Sequence, residues 1–125
     1  MRTLVACAVA LVLVVDANAA RRPTPHERAA IALAVVNQVQ RDNLLIVIRV
    51  DRIVVSTVQP GPGSPFARFA IASAFDGVAL LGFYPSAKGW FVQSYGPRET
   101  VCQIRASRFG GRRAAILRDL GLSCP

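Results

Sequence analysis

Residue types that perform nucleophilic or acid–base catalysis are scarce in this sequence. It contains a single histidine, His26, and seven acidic residues among 125. Nucleophilic catalysis requires a nucleophile, a base and an orienting group within hydrogen-bond reach of one another. No spacing favours a pairing of Ser56 with His26, and Asp51 lies beside Arg49 and Arg52, where an ion pair is the expected outcome. We therefore expect a non-enzymatic protein without catalytic residues.

Metal sites and cofactors are not expected either. Structural and catalytic zinc sites use clusters of Cys and His ligands. The sequence offers one histidine and three cysteines, too few for such a cluster. No phosphate-loop spacing occurs.

The densest positive charge lies near the C-terminus, where residues 105–119 hold five arginines and one acidic residue. Gly110 and Gly111 precede a predicted helix whose first turn contains Arg112 and Arg113. Free amides at a helix N-terminus and guanidinium groups both favour anions. These four residues are therefore a candidate site for phosphate, sulfate or carboxylate. The alternative is a solvated basic face in a chain whose basic residues are nearly all arginine.

The first nineteen residues have the pattern of a secretory signal peptide. Arg2 supplies the positive end, residues 4–15 are an unbroken apolar run, and ANA at 17–19 matches the small-x-small cleavage pattern. Twelve residues rise about 18 Å as a helix, short of a hydrocarbon core of roughly 30 Å. We expect cleavage between Ala19 and Ala20 rather than a membrane anchor. Cys7 precedes most of the apolar run, which argues against a lipoprotein box.

Residues 20–125 then form one domain of a size that suits a single core. Removal of the signal peptide leaves Cys102 and Cys124 as an even pair in an exported, oxidising setting, which predicts a disulfide. Closing that loop would stabilise the fold by roughly 3 kcal/mol through loop-closure entropy.

The net charge of +8 and the pI near 11.0 suggest an anionic partner. Nucleic acid is not expected, because the chain is predicted to be exported and has neither an RNP-like nor a helix-turn-helix signature. An anionic polymer of the cell envelope or a small anion fits the charge better, since net charge acts without a dedicated motif. No transmembrane span is expected after cleavage.

The first secondary-structure element predicted in the chain after the signal peptide is a helix. Residues 20–23 are predicted to be a mobile, basic segment before the helix. Thr24 can cap the helix, Pro25 suits its first position, and Glu27 completes a capping box. The helix should run to about Arg41, with a broad apolar arc that includes Leu33.

Four β-segments are predicted next, at residues 44–58, 66–75, 78–84 and 90–95. The apolar parity of the first segment flips around Asp51-Arg52, which predicts either a bulge or a break into two strands there. Asp76-Gly77 is typical of a hairpin turn. Alternation along the second strand places Phe69 and Arg68 on opposite faces of it.

A loop at residues 96–99 and a short helix at residues 112–120 complete the chain, with Gly121 as a left-handed C-cap and Leu122 as its hydrophobic contact. The predicted fold is α+β: an N-terminal helix packed on a curved antiparallel sheet of about four strands, with the C-terminal helix tied by the disulfide. This two-layer element order is similar to cystatin-like and reduced NTF2-like domains. The Gln-x-Val-x-Gly loop of cystatin inhibitors is absent.

Several short motifs resemble small exported proteins of high-GC actinobacteria, a group without an assigned activity. The matching pieces are PTPHER at 23–28, VSTV at 55–58, FDG at 75–77, GW at 89–90 and LRDLGLSC at 117–124. The resemblance implies export and a similar fold, and none of its motifs is catalytic.

We therefore expect a secreted or cell-envelope domain that binds or interacts rather than catalyses. The alternative is a protein with a small-ligand pocket between helix and sheet and weak hydrolytic activity. An open pocket with converging polar groups would favour the alternative, and a filled interior would oppose it.

Overall fold

A computed structural model describes residues 20–42, 49–74 and 77–124. The chain forms an N-terminal helix, a four-stranded antiparallel sheet whose strands lie side by side in chain order, and a helical C-terminal segment. The predicted α+β class is confirmed. The predicted signal peptide, the start of the first β-segment and the hairpin residues 75 and 76 lie outside the described residues. The elements are α1 (Pro25–Asp42), β1 (Val50–Val55), β2 (Arg68–Ala74), β3 (Gly77–Tyr84), β4 (Gly89–Gly96), α2 (Arg98–Val101), a 3-10 turn (Ala106–Phe109) and α3 (Arg113–Asp119).

Helix α1 begins at the predicted capping box. The Thr24 amide donates to Glu27 Oε1 at 2.9 Å, and the Glu27 amide donates to Thr24 Oγ1 at 3.1 Å, so each residue satisfies the other. Positions one turn apart, Ile31 and Val35, are fully buried against the sheet. Leu33, expected in the apolar arc, is 61% exposed, because it lies on the side of the helix away from the sheet.

The two faces of the sheet differ in residue size. Under α1, the middle strands β2 and β3 present four alanines, which let the helix approach closely, between larger side chains such as Leu81 and Trp90; the alanines are Ala70, Ala72, Ala74 and Ala79. The opposite face presents Phe69, Ile71 and Leu80. Side chains of the C-terminal segment cover it, so the predicted α+β arrangement also includes packing on the second face of the sheet. The covering residues include Val101, Phe109, Ile116 and Leu117.

Two local irregularities shape the strands. The β1–β2 register shifts between Val50 and Arg52, which confirms the bulge predicted near Asp51. A second shift, on the β3–β4 pair between Leu80 and Leu81, was not predicted. Residues 20–23, predicted to be mobile, are held against β1, because Arg21 exchanges two backbone hydrogen bonds with Val55 at 2.8 and 2.9 Å.

The C-terminal segment ends as the sequence predicts. Gly121 has a φ of +84°, its amide donates to Arg118 at 3.0 Å, and the Leu122 amide donates to Leu117 at 2.9 Å. These two bonds form a Schellman motif. Cys102 and Cys124 are joined, with an S–S distance of 2.02 Å, which agrees with the predicted disulfide. The short helix α2 replaces part of the loop predicted at 96–99.

Candidate functional site

A cavity of about 340 Å³ opens where the first turn of α1 meets the β3–β4 hairpin. Helix, strand and turn each contribute to it, so the site exists only in the folded chain. Fully buried side chains such as Val35 and Val55 fill the centre of the layer between α1 and the sheet. The cavity is lined by His26, Glu27, Ala30, Arg68, Phe83, Lys88, Gly89 and Trp90.

Glu27 is the acidic centre of this site. Its side chain is only 11% exposed, and both of its oxygens accept hydrogen bonds from Arg21, at 2.7 and 2.8 Å. Arg68 Nε lies 3.5 Å from Oε2 on the other side. The hydrogen bonds from Arg21 are the main reason that the pKa of Glu27 is lowered to about 2. The carboxylate is therefore ionised at any physiological pH.

Arg68 stands between this carboxylate and two aromatic rings. Its guanidinium carbon lies 4.3 Å from the centroid of the Phe83 ring and 5.7 Å from that of Trp90. The two rings meet edge to face, with centroids 5.4 Å apart. Stacking on aromatic faces fixes the plane of a guanidinium group. Arg68 is thus held rigidly at the wall of the cavity.

The hydrogen-bonding capacity of Arg68 is largely unused. Its Nε is buried and makes no hydrogen bond, although it lies close to Glu27. Among the described residues no hydrogen bond uses either of its Nη groups. The side chain is 35% exposed, so these groups reach solvent at the cavity. A guanidinium with free Nη donors is the side chain best matched to a two-oxygen anion.

Lys88, the single lysine of the chain, lies at the mouth of the same cavity. It ends the turn between β3 and β4, where its amide donates to Pro85 at 3.2 Å. Its φ is +52°, the only positive φ of a non-glycine residue in the described chain. The left-handed conformation costs an L-residue roughly 1–2 kcal/mol. Non-glycine residues held in this way cluster at functional sites.

A second polar cluster joins α3 to the end of β1. Asp119 Oδ2 accepts hydrogen bonds from Ser56 Oγ at 2.8 Å, from the Thr57 amide at 2.7 Å and from Thr57 Oγ1 at 3.2 Å. Ser56 is buried, and its Oγ also accepts a bond from the Val58 amide at 3.1 Å. Every group here has a partner within the cluster, so it holds the C-terminal segment against the sheet.

The sequence-predicted anion site occupies a different place. Arg112 donates to the Gln59 carbonyl at 3.0 Å, and Arg113 donates to the Cys102 carbonyl. Gly110 and Gly111 are both left-handed, with φ of +62° and +84°. Arg112 and Arg113 thus use hydrogen bonds to connect the C-terminal segment to neighbouring backbone. The binding of an anion by these four residues stays a prediction.

Gly110 also explains why glycine is needed in that segment. A Cβ there would lie 2.3 Å from the backbone oxygen of Gly61, and one on Gly61 would lie 2.0 Å from the oxygen of Gly110. The loop before β2 and the 3-10 turn therefore meet backbone to backbone, and the Gly61 amide donates to Phe109 at 3.0 Å.

The remaining catalytic candidates are dispersed. Ser56 is bonded to Asp119, whereas His26 lines the cavity beside Glu27. Asp51 forms the expected ion pair, 3.1 Å from Arg49 Nε. Within residues 20–42, 49–74 and 77–124, no three His, Cys, Asp or Glu side chains cluster as metal ligands would.

Sequence reasoning offered a small-ligand pocket between helix and sheet only as an alternative, and it did not bring together the residues that line this cavity, because they are far apart in the chain. The sequence identifies Glu27 only as a capping residue, and it identifies Arg68 only as a residue on the other face of its strand from Phe69. Two signals were present: Lys88 is the single lysine, and Trp90 follows it in a strand that alternates. Neither signal indicates a shared site without the strand pairing, which places Phe83 opposite Trp90.

Comparisons with known proteins give no relative from which to transfer a function. No family model, curated protein or solved structure matches the chain. Of the helices in the described part of the chain, none is long and apolar enough to cross a membrane.

Proposed function

We propose that this chain is an exported, non-enzymatic binding domain, and that its binding site is the cavity at Arg68, where it takes a small anion. The observation that carries this proposal is the state of Arg68. Its guanidinium is fixed on Phe83, while its Nη groups have no partner among the described residues. A rigid, solvent-accessible donor pair is preorganised for an anion, because little conformational entropy is lost on binding.

The charge around the cavity supports an anionic ligand. Arg21 and Glu27 neutralise each other through two short hydrogen bonds. Arg68 and Lys88 then remain as excess positive charge at the same opening. An excess of positive charge at a concave opening concentrates ligands of the opposite sign.

Export is part of the proposal and is supported by the signal-peptide pattern at residues 1–19. The Cys102–Cys124 pair is compatible with an oxidising compartment. Intact-mass measurement of the protein recovered outside the cytoplasm should find a chain that begins at Ala20. A chain that still begins at Met1 would contradict the export proposal without bearing on the cavity.

A small anion fits the site better than an extended envelope polymer. The cavity is compact, and its positive groups converge on one opening rather than forming a track. The alternative of weak hydrolysis has no supporting observation, because Ser56 donates its hydroxyl hydrogen bond to Asp119.

A nuclear magnetic resonance titration tests the binding site. Acetate, benzoate and phosphate are titrated into the protein, and amide shifts are followed. We expect saturable shifts around residues 26–30 and 83–90 for at least one anion. Arg68→Gln should weaken that binding tenfold or more, since it removes a charged fork.

Arg105→Gln is the matched control, because Arg105 is exposed and lies outside the cavity. It removes the same charge and should leave the affinity within twofold. Equal losses in both variants would show that net charge alone attracts the anion. Absence of saturable shifts with every anion would refute the binding site.

A further inference from the structure

We infer that the ligand of this cavity is a carboxylate that carries a compact apolar body, held by Arg68 and closed in by Lys88. The inference rests on the proposed anion-binding function and names its ligand class. It follows from the different chemistry of the residues that line the cavity, some of which are apolar and some cationic. Ala30, Phe83 and Trp90 form an apolar wall, and the two cations stand beside it.

The size of the cavity argues against a bare inorganic ion. About 340 Å³ lies at the lower end of the range of small-molecule sites and exceeds the volume of one oxyanion. A bare ion would leave water against the apolar wall. An apolar body on the anion would instead remove that surface from water, which is favourable in proportion to the area buried.

The donors favour a carboxylate over a phosphate. The two Nη groups of one guanidinium match the two oxygens of a carboxylate in a planar, bidentate arrangement. A phosphate at a helix start usually also receives backbone amides. Here the amide of Glu27 is bonded to Thr24 Oγ1 and the amide of Arg28 to the Thr24 carbonyl. The amides of Glu27 and Arg28 are therefore already satisfied within the first turn of α1.

Lys88 supplies the second contact. Glycine would adopt a φ of +52° without strain, yet the chain has its single lysine there. The turn holds this residue at the cavity mouth, where its ammonium can reach an anion seated on Arg68. Lys88 is thus a binding residue whose conformation is maintained at the expense of stability.

The ligand class is tested with four anions on the intact, disulfide-bonded protein. Benzoate and cyclohexanecarboxylate should bind at least tenfold more tightly than acetate, and phenyl phosphate no more tightly than benzoate. Equal affinities for acetate and benzoate would overturn the apolar body while leaving anion binding in place. Tighter binding of phenyl phosphate would overturn the choice of carboxylate.

The role of Lys88 is tested by Lys88→Gly and Lys88→Arg. The glycine variant should have a higher Tm and bind benzoate at least fivefold more weakly, whereas the arginine variant should keep the affinity within about twofold. Ala87→Gly, in the same turn, is the matched control and should not weaken binding. Unchanged affinity in Lys88→Gly would overturn the assignment of Lys88.

A chemical measurement gives an independent readout on the unmodified sequence. Because Lys88 is the single lysine, an amine-reactive acylating reagent has one side-chain target, and the N-terminal amine serves as an internal reference. Benzoate should slow acylation of Lys88 relative to the N-terminus several-fold, and acetate at equal concentration should not. Equal protection of both amines would contradict binding at the cavity mouth.

Discussion

Two carboxylates, Glu27 and Asp119, each join parts of the chain that are distant in sequence, and they do so with different partners. Glu27 accepts hydrogen bonds from Arg21 and stands beside Arg68. Asp119 accepts hydrogen bonds from the hydroxyls and amide of Ser56 and Thr57. The first cluster consists of charges, whereas in the second only the carboxylate is charged.

The difference separates a structural role at Asp119 from the binding role that we propose beside Glu27. At Asp119 the donors are neutral and are satisfied inside the cluster, so nothing is left to attract a ligand. At Glu27 one negative charge faces two guanidinium groups, and the excess positive charge remains on Arg68 beside a cavity. Unused hydrogen-bonding capacity on a guanidinium beside a cavity, rather than the number of polar contacts, is the reason that we propose this region as the binding site.

The largest effect is expected for Glu27→Gln, which removes the charge but keeps an amide oxygen that can cap α1. We expect a loss of about 3 kcal/mol in the free energy of unfolding, because Arg21 and Arg68 are left without their counter-charge. Chemical denaturation measures it. Glu99→Gln, an exposed acid in α2, is the control and should change stability by less than about 0.5 kcal/mol. If both variants lost the same small free energy of unfolding, the Glu27 cluster would not stabilise the fold more than an exposed acid does.

The pH dependence of stability should also come from the Glu27 cluster. Hydrogen bonds from Arg21 lower the pKa of Glu27 from 4.5 to about 2, so its stabilisation is fully present above pH 4.5. That stabilisation is lost as the pH falls toward 2, by about 2–3 kcal/mol. Urea denaturation between pH 6 and 2 measures this loss. Glu27→Gln should flatten the profile, and an equally steep profile in that variant would assign the dependence to other groups.

A smaller effect is expected for Asp119→Asn. The amide oxygen can still accept hydrogen bonds, but they lose the assistance of the negative charge, which costs about 1–2 kcal/mol. Binding at the cavity should not change. Asp51→Asn removes a solvent-exposed ion pair with Arg49 and serves as the control, with a change below about 1 kcal/mol. A weaker affinity for anions in Asp119→Asn would mean that the two regions are coupled.

Local features of the fold were predictable because their causes lie within a few residues. The capping box of Thr24 and Glu27 spans four positions, and the Schellman motif around Gly121 spans six. The bulge near Asp51 follows from a change of apolar parity in one strand. The helical C-terminal cover was only partly predicted, because α2 is a single short turn without a periodic pattern.

The candidate site was not predictable in the same way. Arg68 and Glu27 are 41 positions apart, and Ser56 and Asp119 are 63 positions apart. Each of these residues has an ordinary explanation in its own segment, as a strand surface residue or a helix end. Only the pairing of β3 with β4 brings Phe83 and Trp90 together under Arg68.

The amino-acid sequence by itself determined the types of α1, the four strands and α3, the start of α1, the end of α3 and the cysteines that pair, because capping, alternation and turn chemistry act over short distances. It also determined that positive charge would be in excess. Only the tertiary structure decided which charges are neutralised and which remain free. That outcome depends on which side chains the sheet and helix place within a few ångströms, and Coulomb and hydrogen-bond energies fall steeply beyond that distance.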